Sequence, residues 1–248
     1  MNRTLLVTGG SRGIGAATAV LAAARGWAVA VNYTRDAAAA EGVAAQVRAH
    51  GRRAIVLQAD VADEAQVLAM FSAIDRDLGP LTGLVNNAGI VDVAARIDAG
   101  SAARWQRMFA VNVIGSMLCA REALRRMSTA HGGRGGVIVN LSSAAARIGA
   151  AGQYVDYATA KGAIDSFTLG LAREVATEGV RVNAVRPGII ETEIHASGGE
   201  PQRAAQMAPQ VPMRRAGSAQ EVAAAIVWLL SEESSYTTGA VLDVTGGR

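Results

Sequence analysis

Short apolar runs rich in β-branched residues alternate along the chain with longer segments whose apolar residues recur at helical spacing. The longer segments predict six helices, at about 13–25, 36–49, 63–77, 101–129, 154–177 and 218–231. The apolar runs predict seven strands, at about 5–8, 28–31, 54–57, 83–86, 137–141, 180–185 and 240–244.

This alternation predicts parallel βαβ units, because a helix between two strands can return the chain to the same edge of a sheet. The uninterrupted apolar run at 137–139 is typical of a strand buried on both faces. We therefore predict the α/β class, as a single doubly wound Rossmann-type domain over residues 1–248 with a seven-stranded, mainly parallel sheet and helices on both faces. Residues 191–217 carry three prolines and no strand pattern, which predicts a long functional loop that acts as a substrate lid.

Composition narrows the classes of function. Basic residues are scattered among acidic ones at a net charge of +3, so we predict no nucleic-acid partner. No apolar run reaches the roughly 20 residues that cross a bilayer and no signal peptide precedes the first strand, so we expect a soluble, cytoplasmic protein without a membrane partner. The single cysteine, Cys119, excludes an internal disulfide. His131 and His195 have no ligand spacing, so we expect both to be solvated and predict no metal site.

A glycine-rich turn separates the first predicted strand from the first predicted helix. The turn has the sequence Thr8-Gly9-Gly10-Ser11-Arg12-Gly13-Ile14-Gly15. Glycines let a diphosphate approach backbone N–H groups at a helix N-terminus, where the helix dipole favours anions. We interpret the turn as a dinucleotide-binding element, the alternative being a tight strand-to-helix connection.

The spacing Gly9-x-x-x-Gly13-x-Gly15 resembles the short-chain dehydrogenase/reductase family, and further motifs of that family follow along the whole chain. They are Asn86-Asn87-Ala88-Gly89, Asn112-Val113-x-Gly115, Ser142-Ser143, Tyr157-x-x-x-Lys161, Arg186-Pro187-Gly188, and Thr238-Gly239 with Leu242, Val244, Gly246 and Gly247. The resemblance implies a nicotinamide-dependent oxidoreductase, and 3-oxoacyl-ACP reductases and glucose 1-dehydrogenases are the kinds of member that the chain resembles most.

Tyr157 is the expected general acid and base. Reduction of a carbonyl needs a hydride at carbon and a proton at oxygen, and a phenol with a pKa of about 10 can supply that proton if the pKa is lowered. Lys161, four residues on, lies on the same helical face, and a cation about 4 Å away would lower the pKa of Tyr157 toward neutrality. Tyr154 has Ala158 at the same spacing, so we expect it to be a wall of the pocket.

The resemblance also implies roles for the residues around Tyr157. Lys161 would hold the nicotinamide ribose, Ser143 would stabilise the developing alkoxide, and Asn112 would link Lys161 to solvent through water. Ser142 is the alternative to Ser143, because the segment up to Tyr157 is one residue longer than the commonest family spacing. An Asn112 that only satisfies buried backbone groups is the second alternative. The residues expected at the substrate are Ser143, Ala145, Gln153 and Tyr154, with Arg147 and Ile190 as further specificity positions.

The end of the second strand bears on the choice between NAD(H) and NADP(H). NAD-specific sites usually place a carboxylate there, where this chain has Asn32 or Tyr33. Arg12 and Arg35 could both reach a 2′-phosphate, so we predict a preference for NADP(H). Asp36 is the rival ribose ligand, although its place before an Ala-rich helix is that of an N-cap. The expected cofactor residues are Gly9, Ser11, Arg12, Gly13, Ile14, Gly15, Asn32, Tyr33, Arg35, Asp60, Val61, Asn87, Ala88, Gly89, Tyr157, Lys161, Pro187, Gly188, Ile190 and Thr192.

These observations together predict an NADP(H)-dependent enzyme that interconverts a carbonyl and a secondary alcohol on a small-molecule substrate. The alternative is an NADP(H)-binding sensor without turnover, which has no use for the four catalytic candidates together. Epimerases and dehydratases that use the same Tyr and Lys carry a larger C-terminal substrate domain, which argues against that activity here. Relatives associate through the two long helices and the last strand, which implies a homotetramer.

Overall fold

Seven strands form one sheet in the computed structural model, which describes residues 3–248. Residues 1 and 2 of the predicted domain lie outside that range. The strands are β1 (Arg3–Val7), β2 (Trp27–Tyr33), β3 (Ala54–Gln58), β4 (Gly83–Asn86), β5 (Gly136–Leu141), β6 (Val180–Pro187) and β7 (Val241–Val244). Their order is β3-β2-β1-β4-β5-β6-β7, and every neighbouring pair is parallel. The doubly wound α/β class is confirmed, and the sheet is wholly rather than mainly parallel.

Helices cover the sheet, and the residues that begin them are visible in the sequence. Asp36, Asp63 and Ser101 each accept a hydrogen bond from a backbone N–H of the helix that they precede, and Ser218 and Glu221 form a capping box. Within residues 3–248 the α-helices are α1 (Gly13–Ala24), α2 (Ala37–Ala49), α3 (Glu64–Asp77), α4 (Ala102–Phe109), α5 (Gly115–Met127), α6 (Ala145–Ile148), α7 (Val155–Glu174), α8 (Ile194–Ser197), α9 (Arg203–Met207) and α10 (Ala219–Leu230).

Two predicted segments differ from the structure. The single helix expected at 101–129 is interrupted by a π-helical turn at Ala110–Ile114, which separates α4 from α5. The segment 191–217, expected as a loop, contains the short helices α8 and α9, and a parallel bridge between Ile190 and Gly217 joins its two ends. The two ends of the segment therefore lie side by side, next to the end of β6.

The core has one apolar layer on each face of the sheet. Leu5 and Val7 of β1 pack into the layer beneath α1, α2 and α10, while Leu6 between them packs into the layer beneath α3, α5 and α7. Successive side chains of a strand point to opposite faces, so a strand with a helix on each side must be apolar throughout. This explains why the strands could be located as uninterrupted apolar runs.

Buried amides tie the carboxyl ends of the central strands to the helices. The Asn86 side chain on β4 donates to the Asn140 carboxamide oxygen on β5 at 2.9 Å, and to the Ser116 carbonyl on α5 at 3.1 Å. Asn140 in turn donates to the Thr168 hydroxyl on α7 at 2.9 Å. In a dry core each such bond is costly to break, so the chain fixes α5 and α7 relative to the strand ends.

Candidate active site

The glycine-rich turn lies at the point where the strand order reverses, between β1 and β4, where open α/β sheets form a crevice. Gly9 and Gly13 adopt φ values of +60° and +54°, the left-handed region that favours glycine. A Cβ on Gly15 would lie 2.5 Å from both the Asn87 side-chain nitrogen and the Gly9 carbonyl oxygen. No side chain of the described residues caps the N-terminus of α1, so its first N–H groups remain available to an anion.

Two asparagines, Asn32 and Asn87, hold this turn in place through side-chain hydrogen bonds to its backbone. Asn32 accepts a hydrogen bond from the Gly9 N–H at 3.0 Å and donates to the Ala59 carbonyl at 3.0 Å, and it is 1% exposed. Asn87 donates from its side chain to the Thr8 and Gly9 carbonyls at 2.8 and 2.9 Å. Asn32 was predicted among the cofactor residues, and it lies in the crevice over the turn with its side chain engaged in supporting the turn. Of the two candidates at the end of β2, Tyr33 is the more exposed residue in the groove.

We call the crevice that runs over this turn the nucleotide groove. Arg12 and Arg35 are exposed on its wall, and neither side chain makes a hydrogen bond or ion pair within residues 3–248. Asp36 caps α2 by accepting from the Ala39 N–H at 2.9 Å, as its position indicated. Predicted cofactor residues that line the groove are Gly9, Ser11, Arg12, Gly13, Ile14, Asn32, Tyr33, Arg35, Asp60, Val61, Asn87, Ala88, Gly89 and Thr192.

Arg107 is a groove residue that no spacing in the sequence indicated. It extends from α4 and donates to the Asp60 carboxylate at 3.1 Å. The second Asp60 oxygen accepts from the Ala62 N–H at 3.0 Å. The pair is largely solvated, so its contribution to stability is small, and its consequence is a fixed carboxylate at the mouth of the groove.

A second hollow, the catalytic cavity, continues from the nucleotide groove. Ser143, Tyr157 and Lys161 line it together with Pro187, Gly188 and Ile190, so the structure brings these six predicted residues to one place. Residues that line both the groove and the cavity are Ile14, Asn87, Gly89, Val91, Thr192 and Ile194.

The two candidate serines have different environments. The Ser142 hydroxyl is buried and donates to the Lys161 carbonyl at 3.2 Å, so it serves the packing of β5 against α7. Ser143 lines the cavity together with Tyr157, and its hydroxyl accepts a hydrogen bond from the Ala145 N–H at 3.1 Å. The turn after Ser143 forms the short helix α6, followed by left-handed residues at Gly149, Ala150 and Gly152, and this local coiling accommodates the longer spacing to Tyr157.

Lys161 approaches Tyr157 from one helical turn below. Its Nζ lies 5.7 Å from the centre of the Tyr157 ring and donates to the Leu141 carbonyl at 2.6 Å. Burial raises the pKa of Tyr157, and the Ser143 hydroxyl acts in the opposite direction. We expected the neighbouring Lys161 to lower that pKa, but the net shift is upward and burial is its largest cause. Burial also lowers the pKa of Lys161 to about 8, with Asp165 opposing the shift.

Asn112 lies in the π-helical turn and is fully buried. Its side chain accepts from the Ile90 N–H at 2.7 Å and donates to the Ile90 carbonyl at 2.9 Å. A Cβ on Gly89 would lie 3.1 Å from the Asn112 Oδ1 and 3.6 Å from the Lys161 Nζ, so these two groups reach Gly89 together. The observed contacts are those of an Asn that satisfies backbone groups, placed beside the lysine by a π-turn of the kind often found at functional sites.

The far end of the cavity joins α6, α7 and the segment 191–217. The Tyr154 hydroxyl donates to the Glu200 carboxylate at 2.9 Å, and the Arg203 guanidinium lies 4.9 Å over the Tyr154 ring. Arg203 also donates to the Gln153 carboxamide at 2.7 Å. Tyr154 is thus a wall of the pocket, as expected. No sequence pattern indicated Glu200, Arg203 or Arg248 as site residues. The tertiary fold brings them to the site from distant parts of the chain.

The structure corrects the expectations for His195 and Arg147 and agrees with the one for His131. His195 lines the cavity, its Nε2 lies 3.1 Å from the Ile190 carbonyl, and burial lowers its pKa, so it is not the solvated residue that we expected. Arg147 pairs with Asp243 at 2.6 Å and borders a neighbouring groove instead of the catalytic cavity. His131 is exposed.

Comparison with known proteins gives the family. Residues 9–248 match a family model described as enoyl-(acyl carrier protein) reductase. The chain is 55% identical to the uncharacterized oxidoreductase YgfF of Escherichia coli, over 98% of each chain. It is 37% identical to glucose 1-dehydrogenase 2 of Bacillus subtilis, over 99% of this chain and 94% of the relative. A crystal structure of a short-chain type dehydrogenase/reductase from Mycobacterium marinum superposes with a TM-score of 0.92 at 34% identity, covering 99% of this chain and 94% of that one.

The chain belongs to the short-chain dehydrogenase/reductase family. This short-chain dehydrogenase/reductase is therefore an oxidoreductase, and its family uses nicotinamide cofactors. None of the helices in residues 3–248 is long and apolar enough to span a membrane.

Lys161 offers a direct test of the electrostatics of this short-chain dehydrogenase/reductase, because it is the only lysine in the sequence. Lysine-selective isotope labelling should give one side-chain NMR signal, and we expect it to titrate with a pKa of about 8 instead of the ordinary 10.5. Between these values the unfolded chain binds a proton that the folded protein does not, so this group's contribution to the free energy of unfolding rises with pH by up to about 3 kcal/mol. Below pH 8 its contribution is constant.

Lys161→Met removes this dependence. We expect the stability of the wild type relative to Lys161→Met to increase from pH 8 to 10.5 in chemical denaturation. A parallel pH dependence for the two proteins, or a lysine signal that titrates near 10.5, would contradict the buried position of the ammonium group.

Proposed function

We propose that the protein is an NADP(H)-dependent enzyme that interconverts a carbonyl and a secondary alcohol, with Tyr157 as general acid and base. The observation that carries the proposal is the catalytic cavity: Ser143, Tyr157 and Lys161 line it together, the Lys161 ammonium group lies 5.7 Å from the centre of the Tyr157 ring, and the cavity continues into the nucleotide groove. A sensor without turnover has no need for a hydroxyl pair aimed into a cavity beside the groove.

The nucleotide groove fits a dinucleotide. The uncapped N-terminus of α1 would hold the diphosphate, and the cradle at Gly9 and Gly15 has no room for a Cβ. Arg12 and Arg35 line the groove and would donate hydrogen bonds to a 2′-phosphate, while the Asp36 carboxylate accepts from its own helix. When bound, the nicotinamide supplies or accepts the hydride.

The chain's own residues supply the rest of the chemistry. Tyr157, kept protonated by its raised pKa, donates its proton to the carbonyl oxygen in reduction, and in oxidation its phenolate form accepts the proton of the alcohol. Ser143 donates a hydrogen bond to the same oxygen as negative charge develops on it. Lys161, held by the Leu141 carbonyl, orients the ribose and supports the charge on Tyr157 after proton transfer. Asn112 positions the Gly89–Ile90 backbone beside Lys161.

A panel of ketones, aldehydes and secondary alcohols, followed by the absorbance of NADPH, tests this function. Turnover that Tyr157→Phe abolishes supports it. Tight NADPH binding with no turnover on any member of the panel would favour the sensor. Glucose is the substrate named for one relative, and we do not assign it to this protein. The residues that line the catalytic cavity determine the substrate here.

We further propose that the segment 191–217 is the substrate lid. The lid is supported by its contacts: α9 reaches the cavity through Arg203, and Thr192 lies against Gly13 of the glycine-rich turn. A segment that contacts both the groove and the cavity can respond to ligands in either.

The same family resemblance and the exposed apolar residues support a homotetramer. Ile114 and Met117 on the α5 side, Leu169 on α7 and Leu242 on β7 are each 37–50% exposed, on the elements expected to pair. We expect light scattering at micromolar concentration to give about 100 kDa, four times the 25.4 kDa chain. A mass of one chain would contradict the proposal, and Met117→Glu should lower the mass if α5 is an interface.

A further inference from the structure

The charged side chains on the wall of the catalytic cavity are of one sign. Lys161, Arg203 and Arg248 line the cavity, and no aspartate or glutamate among the described residues does so. Much of the remaining wall is apolar, with Leu141, Ile148, Ile189, Ile190 and Ile194 among its residues. Charges beside such a surface are weakly screened, so the cavity favours an anion.

The two arginines differ in how their charge is balanced. Arg203 pairs with Glu200 and donates to Gln153, so its guanidinium already has partners. Arg248 makes no ion pair within residues 3–248, and its Nη1 is buried without a protein acceptor in that range. Burial and the neighbouring charge of Arg203 lower the pKa of Arg248. A buried cationic donor without an acceptor is costly in a folded protein, and an arriving anion removes that cost.

The position of Arg248 makes it useful to the reaction. It lines the same cavity as Ser143 and Tyr157, and also the adjoining groove that contains Arg147 and Asp243. Asp243 is occupied by Arg147 and Arg186, so it does not neutralise Arg248. A substrate whose carbonyl meets Tyr157 could therefore extend an anionic group toward an unpaired guanidinium.

Resting on the proposed function, we propose that the substrate is an anionic carbonyl compound, in which a carboxylate or similarly compact anion is bound by Arg248 while the ketone faces Tyr157 and Ser143. A guanidinium presents paired N–H donors that match the two oxygens of a carboxylate. Arg203 adds positive potential, and the apolar wall accommodates the carbon skeleton between the two polar ends.

Matched keto acids and methyl esters test this inference. The probes are 4-oxopentanoate, 4-oxocyclohexanecarboxylate and their methyl esters, assayed with NADPH for kcat/KM. We expect the acids to exceed their esters by about 10- to 100-fold, the range of a charge-assisted hydrogen bond. Arg248→Gln should remove that advantage, so that its kcat/KM values for the acids and their esters become similar, and an unchanged circular dichroism spectrum and dissociation constant of NADPH show that the variant is folded. Arg134→Gln, which removes an exposed charge outside both cavities, is the matched control.

A binding measurement covers acids that are poor substrates. Cyclohexanecarboxylate should raise the melting temperature of the NADPH-loaded wild type more than its methyl ester does, and Arg248→Gln should abolish the difference. Esters that match the acids in both measurements, or an acid preference that survives Arg248→Gln, would overturn the inference and leave the proposed function standing. Complete absence of Tyr157-dependent turnover, with anion binding intact, would instead overturn the proposed function.

Discussion

Tyr157→Phe is expected to lower kcat by about 10²- to 10⁴-fold while leaving the dissociation constant of NADPH nearly unchanged. The substitution removes the hydroxyl that Ser143 contacts and keeps the ring that packs over Lys161. Steady-state kinetics would give the rate, and fluorescence titration would give the affinity for the cofactor.

Tyr154→Phe is the matched control, three residues away on the same cavity. It removes a hydroxyl that contacts Glu200, outside the pair formed by Tyr157 and Ser143. We expect its kcat to remain within several-fold of the wild type. If Tyr157→Phe kept more than about a tenth of the wild-type rate, or if Tyr154→Phe were the more damaged variant, the assignment of the acid would be wrong.

Arg12→Gln and Arg35→Gln are expected each to raise the KM for NADPH by about 10- to 100-fold, with little effect on the KM for NADH. A charge-assisted contact to a phosphate has this magnitude, and both side chains are exposed on the groove without a protein partner in residues 3–248. Arg25→Gln provides a matched control, because Arg25 is exposed at the opposite end of α1.

Asp36→Ala separates the two interpretations of that carboxylate. As the N-cap of α2 it should stabilise the protein by about 1 kcal/mol, and its removal should leave the KM for NADH unchanged. A raised KM for NADH in Asp36→Ala, or a wild-type kcat/KM that is equal or greater with NADH, would identify Asp36 as a ribose ligand and contradict the preference for NADP(H).

The central strands were predictable because the sheet is wholly parallel and these strands are buried on both faces, so that each is an apolar run such as 137–139. The π-turn at Ala110–Ile114 was not, since the apolar spacing passes through it without a break. Tyr154 and Glu200 meet across 46 residues, a separation at which no local pattern carries information. Arg248 reaches the cavity by the same kind of long-range packing.

The chemistry of Tyr157 shows where local spacing is insufficient. The interval to Lys161 correctly brings the ammonium group beside the ring, but the pKa depends on burial by the whole fold, which spacing does not describe. The amino-acid composition also points to Lys161. The chain carries one lysine against 23 arginines, and a lysine can change its charge when buried, whereas an arginine remains protonated.

Transfer of deuterium from the cofactor tests the central claim most directly. NADPH deuterated at C4, prepared as each of the two diastereomers, would be incubated with the enzyme and a ketone that it turns over, and the alcohol would be analysed by mass spectrometry. We predict that one diastereomer, and not the other, places a single deuterium on the carbinol carbon, at a rate that Tyr157→Phe lowers by at least about 10²-fold. An alcohol without deuterium from either diastereomer, or transfer that is equally fast in Tyr157→Phe, would contradict the account.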